Sequence, residues 1–132
     1  MMMVGTELRP SAIQGLGVFL LHAVAKGVLI WRFDSRIDRV YSEVEIASLP
    51  ERTQDYLRRY STWHDGTQVW VLCGDNGRYF NHAEAPNTIS DGIAFGTDVA
   101  AYDLEEGAEL TSNYSAICDH SRRNGPLFNQ HV

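Results

Sequence analysis

The chain has 132 residues, 44% of them hydrophobic, and a formal net charge of −6 at pH 7. That length suits one domain with an ordinary core, and the acidic balance, without any run of Lys or Arg, excludes a broad phosphate-neutralising face for nucleic acid. No apolar run approaches membrane-spanning length and Cys73 and Cys118 form no zinc-type pair, so the expectation is a soluble, cytoplasmic chain without a metal, a secreted effector being the alternative location.

The first patterned stretch is residues 14–21, QGLGVFLL, where two glycines precede an apolar run. The glycines either permit a bend before a strand or let the backbone approach a ligand closely. No third glycine or helix follows, so this is not a dinucleotide fingerprint. Residues 25–27 read as a turn, and 28–33, VLIWRF, as a second strand expected to pair with the first.

From Tyr41 the pattern becomes helical. Ser42 and Glu45 form a capping box, and Val44, Ile46 and Leu49 make a short stripe. Pro50 interrupts it and opens a further helix on which Tyr56, Leu57 and Tyr60 share one face, read as core. This helical insert covers about residues 41–62.

Asp65-Gly66 marks a turn and 69–72 a strand, and Asp75-Asn76-Gly77 predicts a tight hairpin with positive φ. Strands follow at 88–90 and 93–97, then a turn at 103–107 and a last strand within 108–114. Without repeats or a linker, one mainly β domain with a small helical insert takes up residues 1–132.

Residues 78–87, RYFNHAEAPN, mix types that structural needs alone do not explain. Asn81 and His82 place an amide beside an imidazole, and Pro86-Asn87 limits the backbone, giving a loop shaped for a polar ligand. Arg78 has a structural reading too, as partner of a carboxylate such as Glu109.

Gly15-x-Gly17, residues 78–87 and the closing ELTSNY from Glu109 to Tyr114, in this order, resemble the SET domain of protein-lysine methyltransferases over nearly the whole chain. Residues 30–39, IWRFDSRIDR, are similar to the small single-domain bacterial members. The resemblance implies a SET-domain (β-clip) fold of several short curled sheets with a C-terminal knot-like crossing. It also implies S-adenosylmethionine as cofactor and a basic protein or peptide as the source of the target lysine, with no direct nucleic-acid contact.

Carried over by position, Gly15, Leu16 and Gly17 border the cofactor, with Arg78 nearby. Asn81 meets its methionyl end and the backbone of His82 its adenine. Tyr114 is the catalytic tyrosine beside the transferring methyl, and Phe33 and Ser112 join it along the substrate channel. No cysteine-rich zinc module is expected in the tail, residues 115–132. Closure of the cofactor pocket then falls to Phe128, with Leu127 beside it, or to a second subunit in a homodimer.

The chemistry asks for such a site. Methyl transfer to an amine needs a neutral nucleophile held in line, and lysine is protonated near neutral pH. An apolar, aromatic-walled channel disfavours the ammonium and fixes the line of attack. The chain departs from the family pattern at Ala83-Glu84, where Ser-Cys is usual, and at Asn113, where Asp is common. These departures support the alternative of an inactive SET-like module that binds a basic partner or the cofactor alone.

Overall fold

The structure, a computed structural model, describes residues 1–64, 66–90 and 96–113. Strand β1, Thr6–Pro10, pairs antiparallel along its whole length with β2, Leu16–Leu20. Alternation along β2 turns Val18 and Leu20 inward, both essentially buried. Val18 lies opposite Leu8 on one side and Leu110 on the other, an apolar row crossing three strands.

Three further strands make a second sheet: β3, Leu29–Arg32, β8, Thr88–Ser90, and β9, Thr97–Ala100, with β9 central. The third sheet joins β4, Arg39–Ser42, β5, Thr62–His64, and β6, Val69–Leu72, with β6 central. Helices α1, Glu43–Ala47, and α2, Glu51–Tyr60, connect β4 to β5 and contribute to that sheet's core. Completing the first sheet are β7, Asn81–His82, and β10, Glu109–Ser112, in the order β1-β2-β10-β7. β10 runs antiparallel to β2 and parallel to β7.

The interior divides into two clusters. Val18, Leu20, Ile30, Phe80, Ala100, Leu104 and Leu110 form the main one, where the first two sheets meet. Ile46, Leu57, Trp63 and Trp70 form the other, beneath the helices. Trp63 and Trp70 are cross-strand partners with ring centroids 5.4 Å apart, a pairing worth about 1 kcal/mol beyond simple burial. Trp70 donates its indole N–H to Glu43 at 2.6 Å, and Arg58 pairs with the same carboxylate at 2.7 Å.

Several local expectations hold. Ser42 caps α1 in a full capping box with Glu45, and Gly27 takes a positive φ in the expected turn. Pro50 sits at the N-cap of α2, one residue earlier than its expected place. Other expectations fail for identifiable reasons.

The runs at 16–20 and 29–32 do not pair, because the connection between them is drawn to the 100–104 segment by reciprocal bonds between Val24 and Leu104 and by Gly27 to Ala100. Asp75-Asn76-Gly77 makes no positive-φ hairpin. Asp75 instead caps a short 3-10 turn, Asn76–Tyr79, its carboxylate accepting the Gly77 amide at 3.1 Å. Most of the strand expected at 93–97 lies outside the described residues.

Candidate functional site

Asn81 stands on a strand of two residues, 3% exposed, and its side chain meets an unusual number of acceptors. Its amide nitrogen donates to the carbonyls of Gln14 and Leu16, each at 3.1 Å, and to Glu109 Oε2 at 2.9 Å. Three acceptors around one NH2 group fix which end of the amide is nitrogen. The carbonyl oxygen Oδ1 is thereby turned the other way, and it accepts no hydrogen bond among the described residues.

Glu109 holds the other end of this network. Both its oxygens accept the Ser11 hydroxyl, at 2.8 and 2.9 Å, while Ser11 Oγ accepts the Ile13 amide at 2.9 Å. The Ser11 amide donates to the Gly15 carbonyl at 2.7 Å, and Gly15 has φ +47°. The bend at Gly15 thus asks for glycine on conformational grounds. Gly17 is different: a Cβ there would lie 2.3 Å from Glu109 Oε2. The space its missing side chain leaves is filled by the Glu109 carboxylate, not kept for a ligand.

Asn87 performs a related task for β10. Its amide nitrogen donates to the Glu109 carbonyl at 2.7 Å, and its Oδ1 accepts the Thr111 amide at 2.9 Å. A side chain supplies the ladder bonds that a neighbouring strand would otherwise provide. Thr88 Oγ1 donates to the Thr111 carbonyl at 2.7 Å and the Ala83 amide to that of Ser112 at 3.1 Å. Sequence reasoning assigns no role to Ser11 and gives Asn87 only a part in limiting the backbone after Pro86. Their signals are local ones, a serine at the mouth of a glycine loop and an asparagine after proline.

Of the expected site residues, Gly15, Leu16, Gly17, Asn81, His82 and Ser112 come together along β2, β10 and β7. Arg78 turns elsewhere. Its guanidinium donates to the Tyr56 hydroxyl of α2 and sits 5.8 Å from the Tyr79 ring, so its partner is not Glu109. Tyr56 is exposed, its ring centroid 4.8 Å from that of the half-buried Tyr60 with the planes tilted by 46°, and of the three residues on this face only Leu57 is core.

His82 is half-buried with Nε2 3.1 Å from Glu84, whose side chain is 90% exposed and directed outward. Phe33 is half-buried just beyond β3, its amide reaching the Gly96 carbonyl. Tyr114 and Phe128 lie outside the described residues. Among the described residues no group of three or more His, Cys, Asp or Glu is placed to hold a metal, and no helix is long and apolar enough to cross a membrane.

In sequence, no protein-family model matches the chain and no curated protein does either. In structure, it is similar to a humanised mutant of the Chaetomium thermophilum Polycomb Repressive Complex 2 bound to the inhibitor GSK126, at TM-score 0.65 and 21% identity over 87% of this chain. The apo form of that complex, mutated in Ezh2, gives 0.67 and 21% over 88%. The chain has the SET-domain fold.

A candidate histone methyltransferase of Plasmodium falciparum aligns over 84% of this chain and 93% of its own, at TM-score 0.58 and 19% identity. This chain spans only 15% and 16% of the two Polycomb chains. On the SET fold described here, β10 is the strand to which both the glycine loop and the Asn81 strand are fastened.

Proposed function

We propose that this chain transfers a methyl group from S-adenosylmethionine to the side-chain amine of lysine in a basic protein. The observation that carries the reading is Asn81, whose NH2 is fully engaged by the glycine loop and Glu109 and whose Oδ1 is left as an acceptor. An acceptor held this way fits a donor group on the ligand, and the α-ammonium at the methionyl end of the cofactor is such a donor. When bound, that cofactor supplies an electrophilic methyl on a sulfonium.

The chain's own residues would do the positioning. The loop at Gly15, Leu16 and Gly17 borders the methionyl end, and the His82 backbone borders the adenine. By the resemblance in sequence, Ser112 and Phe33 would line the lysine channel together with Tyr114, which matches the family's catalytic tyrosine. Holding nitrogen, carbon and sulfur in line is most of the catalysis, and an aromatic wall disfavours the ammonium form of lysine. Glu84, pointing outward, adds its charge to the surface and not to the pocket. The net charge of −6 favours a Lys- or Arg-rich partner.

Titration calorimetry with S-adenosylmethionine tests the reading first, followed by radiolabelled methyl transfer to lysate proteins. Saturable binding with label on protein is expected. Binding without transfer would replace the enzyme by an inactive SET-like module, and no binding would remove both.

A further inference from the structure

We infer that Glu109 is a positioning residue that sets the shape of the cofactor pocket from β10, an assignment that rests on the methyltransferase reading above. A single carboxylate receives three contacts from two distant segments: Ser11 Oγ at 2.8 and 2.9 Å, and Asn81 Nδ2 at 2.9 Å. No Lys or Arg ion-pairs with it among the described residues, so these hydrogen bonds and solvent carry its charge. Charge-assisted bonds of this kind are stronger than neutral ones.

Each contact controls a different wall. Ser11 passes the constraint into the loop by accepting the Ile13 and Gln14 amides at 2.9 and 3.4 Å. The bond to Asn81 helps hold the NH2 group away from the ligand, so that Oδ1 faces it. Gly17 completes the fit by leaving the volume the carboxylate occupies, with a Cβ there reaching to 2.3 Å. Glu109 therefore links the glycine loop, the asparagine and the strand that leads into residues 113 and 114.

Glu109→Gln preserves the shape but turns one acceptor oxygen into a donor. With its oxygen at the Oε2 place the amide still accepts from Asn81 and Ser11, but the bonds lose their charge and the new NH2 is directed at Ser11 Oγ, which already accepts the Ile13 amide. The expected result is S-adenosylmethionine binding about tenfold weaker or more, read by calorimetry, with kcat at saturating cofactor within about threefold of wild type. In ligand-free protein the Ile13 amide should exchange hydrogen faster. Ser11→Ala, which cuts the same link from the loop side, should reproduce the affinity loss, and the double variant should lose no more than the larger single loss.

If Glu109→Gln does not fold, Ser11→Ala decides alone by the same affinity and exchange readings. Unchanged affinity, unchanged Ile13 exchange, additive losses, or a fall in kcat at saturation without an affinity loss would overturn the inference while leaving the methyltransferase reading in place. Failure of the wild type to bind would overturn both.

Discussion

Two hydrogens on the Asn81 amide nitrogen serve three acceptors within 3.1 Å, two of them carbonyls and one a carboxylate. Asn81→Asp would aim a second carboxylate at all three, with no donor left in place. The expected loss is about 3–5 kcal/mol of unfolding free energy, the cost of an uncompensated buried charge. Asn81→Ala should lose only about 1–3 kcal/mol. Denaturant unfolding distinguishes them, and equal losses would contradict the geometry. At Gly17, substitution by Ala forces the Glu109 carboxylate out of its place. Because that carboxylate is the end of a flexible side chain, the expected loss is that of its hydrogen bonds to Ser11 and Asn81, about 0.5–1.5 kcal/mol by the same measurement, and an unchanged stability would count against those bonds.

At the scale of elements, the helical insert carries its own electrostatic signature. The Glu45 carboxyl is held below its ordinary value, first by the Ser42 amide and then by the Ser42 hydroxyl. A lowered acid pKa contributes stability above the ordinary carboxylate range, and that stability is lost as pH falls through the lowered value. The stability difference between wild type and Glu45→Gln should therefore be largest at neutral pH and shrink in acid, as thermal unfolding across pH 2 to 7 would show, roughly spanning that range. A constant difference would count against the capping geometry.

The Tyr56 hydroxyl ties α2 to the 3-10 turn through Arg78. Tyr56→Phe should lose about 0.5–1.5 kcal/mol of stability while S-adenosylmethionine affinity stays within about threefold. A large affinity loss would return Arg78 to the cofactor pocket.

Elements of this kind differ in how readable they were. The capping box is legible because Ser42 and Glu45 act within one turn of chain. β1, β4 and β5 carry no readable signal: TELRP has little alternation and ends in proline, Arg39–Ser42 runs straight into the Ser42 cap and so reads from Tyr41 as helix, and Thr62–His64 is too short to carry a period. At residues 75–77 Asp-Asn-Gly suits a 3-10 cap as well as a hairpin, and tertiary contacts decide between them. Trp31 packs under Gly77, where a Cβ would come within 3.2 Å of its indole, and Asp75 also accepts the Met2 amide.

For the whole molecule, a mainly β domain of several small sheets with a helical insert is legible in the sequence, but the number and order of the sheets are not. It depends on long-range pairings such as Val24 with Leu104 and Thr111 with Asn81, which leave no local trace. The motif order supplied what periodicity could not. Gly15-x-Gly17, Asn81-His82 and Glu109-Leu110-Thr111 are far apart in sequence and adjacent on β2, β7 and β10. Within the site, Asn81 was legible by type, whereas the clasp through Ser11, Gly17 and Glu109 became visible only from the distances.

The proposed activity is methyl transfer by this SET fold onto lysine. Its most direct test is mass spectrometry of methyl-lysine in protein incubated with this chain and isotopically labelled S-adenosylmethionine, comparing wild type with Tyr114→Phe. Labelled methyl is expected on the lysine ε-amine with wild type and at least about a hundredfold less with the variant, the scale of a lost positioning group at the reacting atoms. Absence of labelled methyl-lysine with both, under conditions where the cofactor binds, would contradict it.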